Sequence, residues 1–181
     1  MKISYKNIAI SGDIGTGKTT LARALGEKLG WQHLSAGEYF RKWHEEHGIP
    51  LEHTGKVPPE VDKAIDFGFQ EQMQTKKHII FESRLAGWLS RDFPGVYRIL
   101  CVTDFEVAME RVAKRDRISV EEAKEKSQER SKALEEKFYN LYGTNDFLDP
   151  KYFNLVVDTT NISPSETLDF VLKALHKYPQ M

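Results

Sequence analysis

The chain is most informative at first through what it has little of. Of its 181 residues only one is cysteine, which excludes a disulfide framework and any cysteine-rich zinc lid. That residue, Cys101, stands inside the apolar run YRILCV and reads as a buried strand position rather than a reactive thiol. An excess of one charge is missing too, with 26 Lys and Arg against 27 Asp and Glu and a net charge of −1 at pH 7. This balance argues against general nucleic-acid binding and confines any positive patch to a local site. There is no secretory pattern, and no apolar stretch reaches the length of roughly 18 residues that a membrane span needs. A cytoplasmic monomer with no nucleic-acid or membrane partner is expected. Internal repeats and low-complexity runs are absent, and the length suits one domain around one core.

What is present alternates short apolar runs with longer helical patterns. Strands are expected at residues 7–11, 31–35, 78–82, 97–102 and 154–158, with helices between them. Each strand ends on a polar side chain: Ser11, Ser35, Glu82, Thr103 and Asp158. In open parallel sheets this is the edge where ligands bind. A Ser or Thr followed three residues later by Glu marks helix starts at Ser35 with Glu38, Thr103 with Glu106, Ser119 with Glu122, and Ser163 with Glu166. The pattern predicts a three-layer α/β fold with a parallel sheet. Two segments exceed a minimal strand and helix repeat. Residues 36–77 leave room for two or three helices, an inserted flap. Residues 114–143 are dense in both charges and read as a solvated helix hanging off the core.

Between the first strand and first helix lies GDIGTGKTT, residues 12–20, which satisfies the phosphate-loop pattern in full with an extra glycine at Gly15. Such a turn aims successive backbone N–H groups at one centre, and the following helix adds its positive end, so an anion is stabilised there. Gly12, Asp13, Ile14, Gly15, Thr16, Gly17, Lys18, Thr19 and Thr20 are therefore expected to hold the phosphates of ATP. Lys18 meets the β- and γ-phosphates as a point charge, and the Thr19 hydroxyl is suited to ligate Mg²⁺. A GTP-binding switch is excluded because neither an Asn-Lys-x-Asp string nor the Asp-x-x-Gly after the third strand occurs. A small kinase fits best.

A kinase must hold an acceptor opposite the γ-phosphate and meet the spread charge of the transition state, tasks suited to arginine. Arg41 and Arg84 lie beside the expected ligand edge; Arg111, Arg115, Arg117 and Arg130 lie in or near the charged segment, where a solvated or ion-paired role is the alternative. Asp62 and Asp66 share one helical face; they read either as acceptors for an exocyclic base amine or as a solvent-facing acidic edge. The six histidines show no paired metal-ligand spacing and read as surface or packing residues.

Three stretches, GDIGTGKTTLARALGEKLGWQHLSAGEYFR, FESRLAGW, and KRDRISVEEA with YNLYG, resemble the cytidylate kinases, specifically the short archaeal-type nucleoside monophosphate kinases. The resemblance runs over nearly the whole chain in the same order. It implies a P-loop fold with a five-stranded parallel sheet, a monophosphate-binding flap at about 36–77 and a short lid at about 114–143, on a core of 1–35, 78–113 and 144–181. The implied reaction moves the γ-phosphate of ATP to CMP or dCMP with Mg²⁺. Carried over, Lys18, Arg115 and Arg130 are catalytic; Ser35, Arg41, Asp62, Asp66 and Arg84 bind the acceptor; Thr19 binds the metal and Glu82 holds it through water. Two positions depart from the family: Ser83 stands where glycine is usual, and Asp13-Ile14 replace Pro or small residues. A kinase for another small acceptor and a slow regulatory ATPase remain as alternative readings, and the adenine is expected near Thr159 to Ser163.

Overall fold

A computed structural model describes residues 5–177, so the outermost parts of the expected core, 1–4 and 178–181, lie outside the described residues. The chain runs β1 (Asn7–Gly12), α1 (Lys18–Leu29), β2 (Gln32–Ser35), α2 (Ala36–Glu46), α3 (Pro59–Thr75), β3 (Ile79–Glu82), α4 (Ala86–Leu89), β4 (Val96–Val102), α5 (Phe105–Asp116), α6 (Val120–Tyr142), β5 (Leu155–Asp158) and α7 (Pro164–Lys177). Short 3-10 segments occupy Leu51–Lys56 and Pro150–Tyr152. All five strands are parallel, in the order β2-β3-β1-β4-β5. The innermost strand, β1, thus delivers its glycine loop to the carboxyl edge of the sheet between the ends of β3 and β4.

Side-chain alternation along the strands sorts the core onto the two faces of the sheet. Ile8, Ile10, Ile80, Tyr97, Ile99 and Cys101 pack with Leu21 and Leu25 of α1 and Val171 and Leu175 of α7. Ala9, Ile79, Phe81 and Val96 pack on the opposite face with Leu85, Leu89 and Phe138. Strands covered on both faces need long apolar runs, and the sequence supplies them. Cys101 is buried as expected, and burial pushes its thiol up to about 12, far from a reactive thiolate.

The helix-start signals work in part. Only Ser163 and Glu166 form the reciprocal box, with Glu166 N–H donating to the Ser163 hydroxyl and Ser163 N–H to the Glu166 carboxylate. Ser35 and Ser119 accept from the expected N–H groups of Glu38 and Glu122. Their glutamates turn outward instead, to Arg23 and Lys126. At α5 the expected Thr103 is displaced by Asp104, whose carboxylate accepts from Glu106 N–H and Val107 N–H. An ionised acceptor is the stronger partner for a helix N-terminus.

The charged segment 114–143 corrects a second expectation. It is divided by a left-handed turn at Arg117 between α5 and α6, and α6 does not hang off the core. Its Phe138 is buried in the second cluster, with Leu134 and Tyr142 packed against it. The region 36–77 forms α2, the Leu51–Lys56 segment and α3.

Candidate active site

The loop after β1 is shaped by glycines where nothing else fits. Gly15 has φ 79°, and a Cβ there would lie 2.6 Å from the Ala108 carbonyl oxygen. Gly17, also at φ 79°, leads into α1 with no side-chain cap and no acidic residue in the first helical turn. The first N–H groups of α1 are thus open to an anion. The Thr16 hydroxyl and Lys18 Nζ both donate to the Asp13 carbonyl, at 2.9 and 3.1 Å, which fixes the loop backbone. Burial lowers the pKa of Lys18, and the nearby Glu82 charge opposes that shift.

Glu82 ends β3 beside this loop and is only 2% exposed. Thr19 donates from Oγ1 to Glu82 Oε1 at 2.9 Å. His33 Nε2 stands 3.5 Å from Oε2, beyond an ordinary hydrogen bond, and Oε2 is left without a hydrogen-bond partner. Burial acts to raise the pKa of this carboxyl, but His33, Lys18, Ser35 and Thr19 outweigh it and hold it at about 2. The group is therefore a buried, ionised carboxylate with a free oxygen, beside the hydroxyl expected to meet a metal. That donor set suits Mg²⁺, which takes few protein ligands and completes its shell with phosphate and water. The sequence reading left His33 as a surface or packing residue; its position one strand away, against Glu82, was not legible from spacing alone. Ser35 caps α2 through the Glu38 N–H and leans on Glu82.

A cleft of about 110 Å³ opens between β3, α2, α3 and α6, lined among others by Phe40, Arg41, Asp62, Asp66, Arg84 and Arg130. Asp62 and Asp66 are each only 4% exposed, so the solvent-facing alternative does not hold. They differ in their partners. Lys137 Nζ lies 2.6 Å from Asp62 Oδ2 and also donates to the Thr54 carbonyl at 2.9 Å. Asp66 has no ion-pair partner among the described residues; Tyr142 Oη donates to its Oδ2 at 2.6 Å, and burial raises its carboxyl to about 7. Neither Lys137 nor Tyr142 was singled out in the sequence. A signal existed: Leu134, Lys137, Phe138, Leu141 and Tyr142 fall on one helical stripe, where a lysine among apolar residues calls for a buried partner.

A second cleft lies on the other side of the loop, lined by Gly17, Thr20, Arg111, Val112, Thr159, Ile162 and Thr167 among others. Arg111 forms its rim, donating to Thr159 Oγ1 at 3.0 Å and to the Thr159 carbonyl at 2.6 Å. Both clefts are lined by Gly15, Lys18, Thr19, Arg41 and Arg115, so they meet there. Arg130, half-buried, lines the first cleft, its Nε buried and without a partner among the described residues; burial first, then the neighbouring Arg84, Arg41 and Arg115, bring its pKa down to about 10. Arg115 is held by Asp116 through two bonds of 2.7 Å. Such crowding of like charge is stable only with anions nearby. Of the nine loop residues, Asp13 and Thr16 line neither cleft; Asp13 turns to Arg84 instead.

Comparison with known proteins agrees with this geometry. A family model described as "AAA domain" matches residues 8–133. A cytidylate kinase of Pyrococcus abyssi is 36% identical over 180 residues, covering 96% of each chain. Another from Methanopyrus kandleri is 37% identical, covering 92% of this chain and 91% of its own. The chain belongs to the cytidylate kinase family. Within solved structures, a shikimate kinase from Acinetobacter baumannii in complex with shikimate superposes with a TM-score of 0.63 at 17% identity, covering 96% of this chain and 94% of its own. That likeness concerns the fold alone, an α/β P-loop kinase architecture. As a cytidylate kinase family member the protein is a nucleotide kinase, an enzyme that uses ATP.

Proposed function

We propose that the enzyme transfers the γ-phosphoryl group of ATP to CMP or dCMP, with Mg²⁺, as a cytoplasmic monomer. The observation that carries this reading is the junction of two clefts at Lys18, Thr19, Arg41 and Arg115. The cleft containing Thr20, Arg111 and Thr159 takes the donor, and the cleft containing Asp62, Asp66 and Arg84 takes the acceptor. No helix among the described residues is long and apolar enough to cross a membrane.

In this assignment an ionised oxygen of the acceptor phosphate attacks the γ-phosphorus, and the bond from that phosphorus to the β–γ bridging oxygen breaks to leave ADP. No side-chain nucleophile is needed, because the attacking oxygen is already charged at neutral pH and alignment does most of the work. Lys18 and the open N-terminus of α1 hold the donor phosphates. Arg41 and Arg84 hold the acceptor phosphate, as the planar fork of arginine suits. Arg115 and Arg130 neutralise charge on the group in flight. Thr19, and Glu82 through water, are the residues that would hold Mg²⁺, which would supply positive charge to the donor phosphates. Asp66 Oδ1, left free by Tyr142, accepts from the exocyclic amine of cytosine.

A coupled assay of ADP release with CMP, dCMP, UMP, AMP, GMP and shikimate tests the assignment. Turnover that depends on CMP or dCMP and is lost in Lys18→Ala is the expected result. Turnover with none of the monophosphates, or with shikimate in their place, overturns it.

A further inference from the structure

A guanidinium has two edges able to grip a phosphate with two hydrogen bonds: Nε with Nη2, and Nη1 with Nη2. Both use Nη2. In Arg84 that nitrogen is occupied, donating to Asp13 Oδ1 and to Ser131 Oγ, the latter at 3.1 Å. Nε and Nη1 are buried and have no hydrogen-bond partner among the described residues. The arginine is therefore in place for an anion but cannot take one in a two-pronged grip while both hydrogens of Nη2 are engaged.

We propose that Asp13 is an internal anion that holds Arg84 in the free enzyme and is exchanged for the phosphate of the acceptor, so that it sets how tightly that phosphate binds. The proposal rests on the reading of Arg84 as an acceptor-phosphate ligand. Exposure fixes which partner moves: the Arg84 side chain is 9% exposed and that of Asp13 is 49% exposed. By turning, Asp13 gives up one further bond, from Ile14 N–H, and gains water, whereas Arg84 has nowhere else to go. Only the carboxylate needs to turn, because the Asp13 carbonyl stays anchored by Thr16 and Lys18. Charge favours the exchange as well. A phosphate monoester near neutral pH carries more than one negative charge, and it meets Arg84 and Arg41 together, whereas the carboxylate is ion-paired to Arg84 alone. Placing the exchanged group on the donor loop also makes the loop sense whether the acceptor phosphate has arrived.

Isothermal titration of the full chain with CMP, and with cytidine as the ligand lacking a phosphate, tests this directly. Asp13→Asn is the informative variant: its side-chain oxygen still accepts from Ile14 N–H, a bond of 2.6 Å in the parent, and only the charge is gone. The expected result is CMP binding about three- to tenfold tighter than in the parent, as for removal of a partly exposed competing ion pair, with cytidine binding unchanged. Ser131→Ala, which removes a neutral partner of the same nitrogen, is expected to change CMP affinity less than about twofold. Should Asp13→Asn lose its melting transition, Asp13→Ser serves the same comparison. CMP binding equal to or weaker than the parent's in the Asp13 variants overturns the exchange and makes Asp13 a fixed support for Arg84. A parent that binds no nucleoside monophosphate overturns the acceptor reading itself, and the exchange falls with it.

Discussion

Lys137 Nζ lies 2.6 Å from Asp62 Oδ2, and both side chains are less than a tenth exposed. The lysine belongs to α6 and the aspartate to α3, while the same ammonium also donates to the Thr54 carbonyl. One buried cation therefore ties the wall of the acceptor cleft to the helix that carries Arg130. Removing one member of a buried pair leaves the other charge without compensation, which costs about 3–5 kcal/mol. Lys137→Met is expected to lose stability of that order in urea unfolding, and the double variant with Asp62→Asn to recover part of it. A Lys137→Met protein as stable as the parent would refute the pair's structural role.

Asp66 sets a pH dependence whose sign follows from its shift. Its carboxyl titrates at about 7 in the folded protein, against about 4 in an unfolded chain. Between those values folding takes up a proton, so this group makes stability fall as pH rises from about 4 to about 7, and its effect is level above. Asp66→Asn removes the penalty. The variant's stability relative to the parent should grow by at most ~1.4 kcal/mol per pH unit across that window, read from melts at a series of pH values. A difference that does not vary with pH contradicts a protonated Asp66 in the folded state.

Arg130 lies in the first cleft near Arg84, Arg41 and Arg115, and burial together with those three charges disfavours its own. Strain of that kind is relieved when negative charge arrives, and most of all when charge develops on the transferring group. Arg130→Ala and Arg115→Ala are expected to lower kcat by about 10²–10³-fold while changing the KM for CMP less than about fivefold. Unchanged kcat with a raised KM would move these residues to acceptor binding.

Much of the fold was readable because its signals are local. Strand runs covered on both faces and glycines in a loop are each decided within a few residues, and the expected strands fell within a residue or so of those found. The loop motif and the arginines near the sheet edge were readable for the same reason. What spacing could not supply was pairing across the fold. Asp13 looked like a misplaced charge until Arg84, 71 positions away, was found beside it. His33 was unremarkable until β2 lay next to β3 and brought it against Glu82. The high charge of residues 114–143 concealed the apolar stripe that docks α6, because the lysine within that stripe belongs to a pair whose other half sits on α3.

Glu82 is held ionised at about 2 with one oxygen free, so in the proposed reaction it would carry charge rather than move a proton. Glu82→Gln is expected to lower kcat by about 10²-fold or more and to raise the Mg²⁺ concentration needed for half-maximal rate, as measured by titrating the metal at saturating ATP. An unaltered metal requirement would exclude Glu82 from holding it.

Two clefts meet at Lys18, Thr19, Arg41 and Arg115, one proposed for ATP and the other for CMP. Competition binding of a bisubstrate ligand, adenosine and cytidine joined through five phosphates, tests it most directly. The account predicts that this ligand excludes both ATP and CMP and binds at least about a hundredfold tighter than either alone, because one molecule fills both clefts. Affinity no better than that of ATP, or displacement of only one of the two nucleotides, would contradict it.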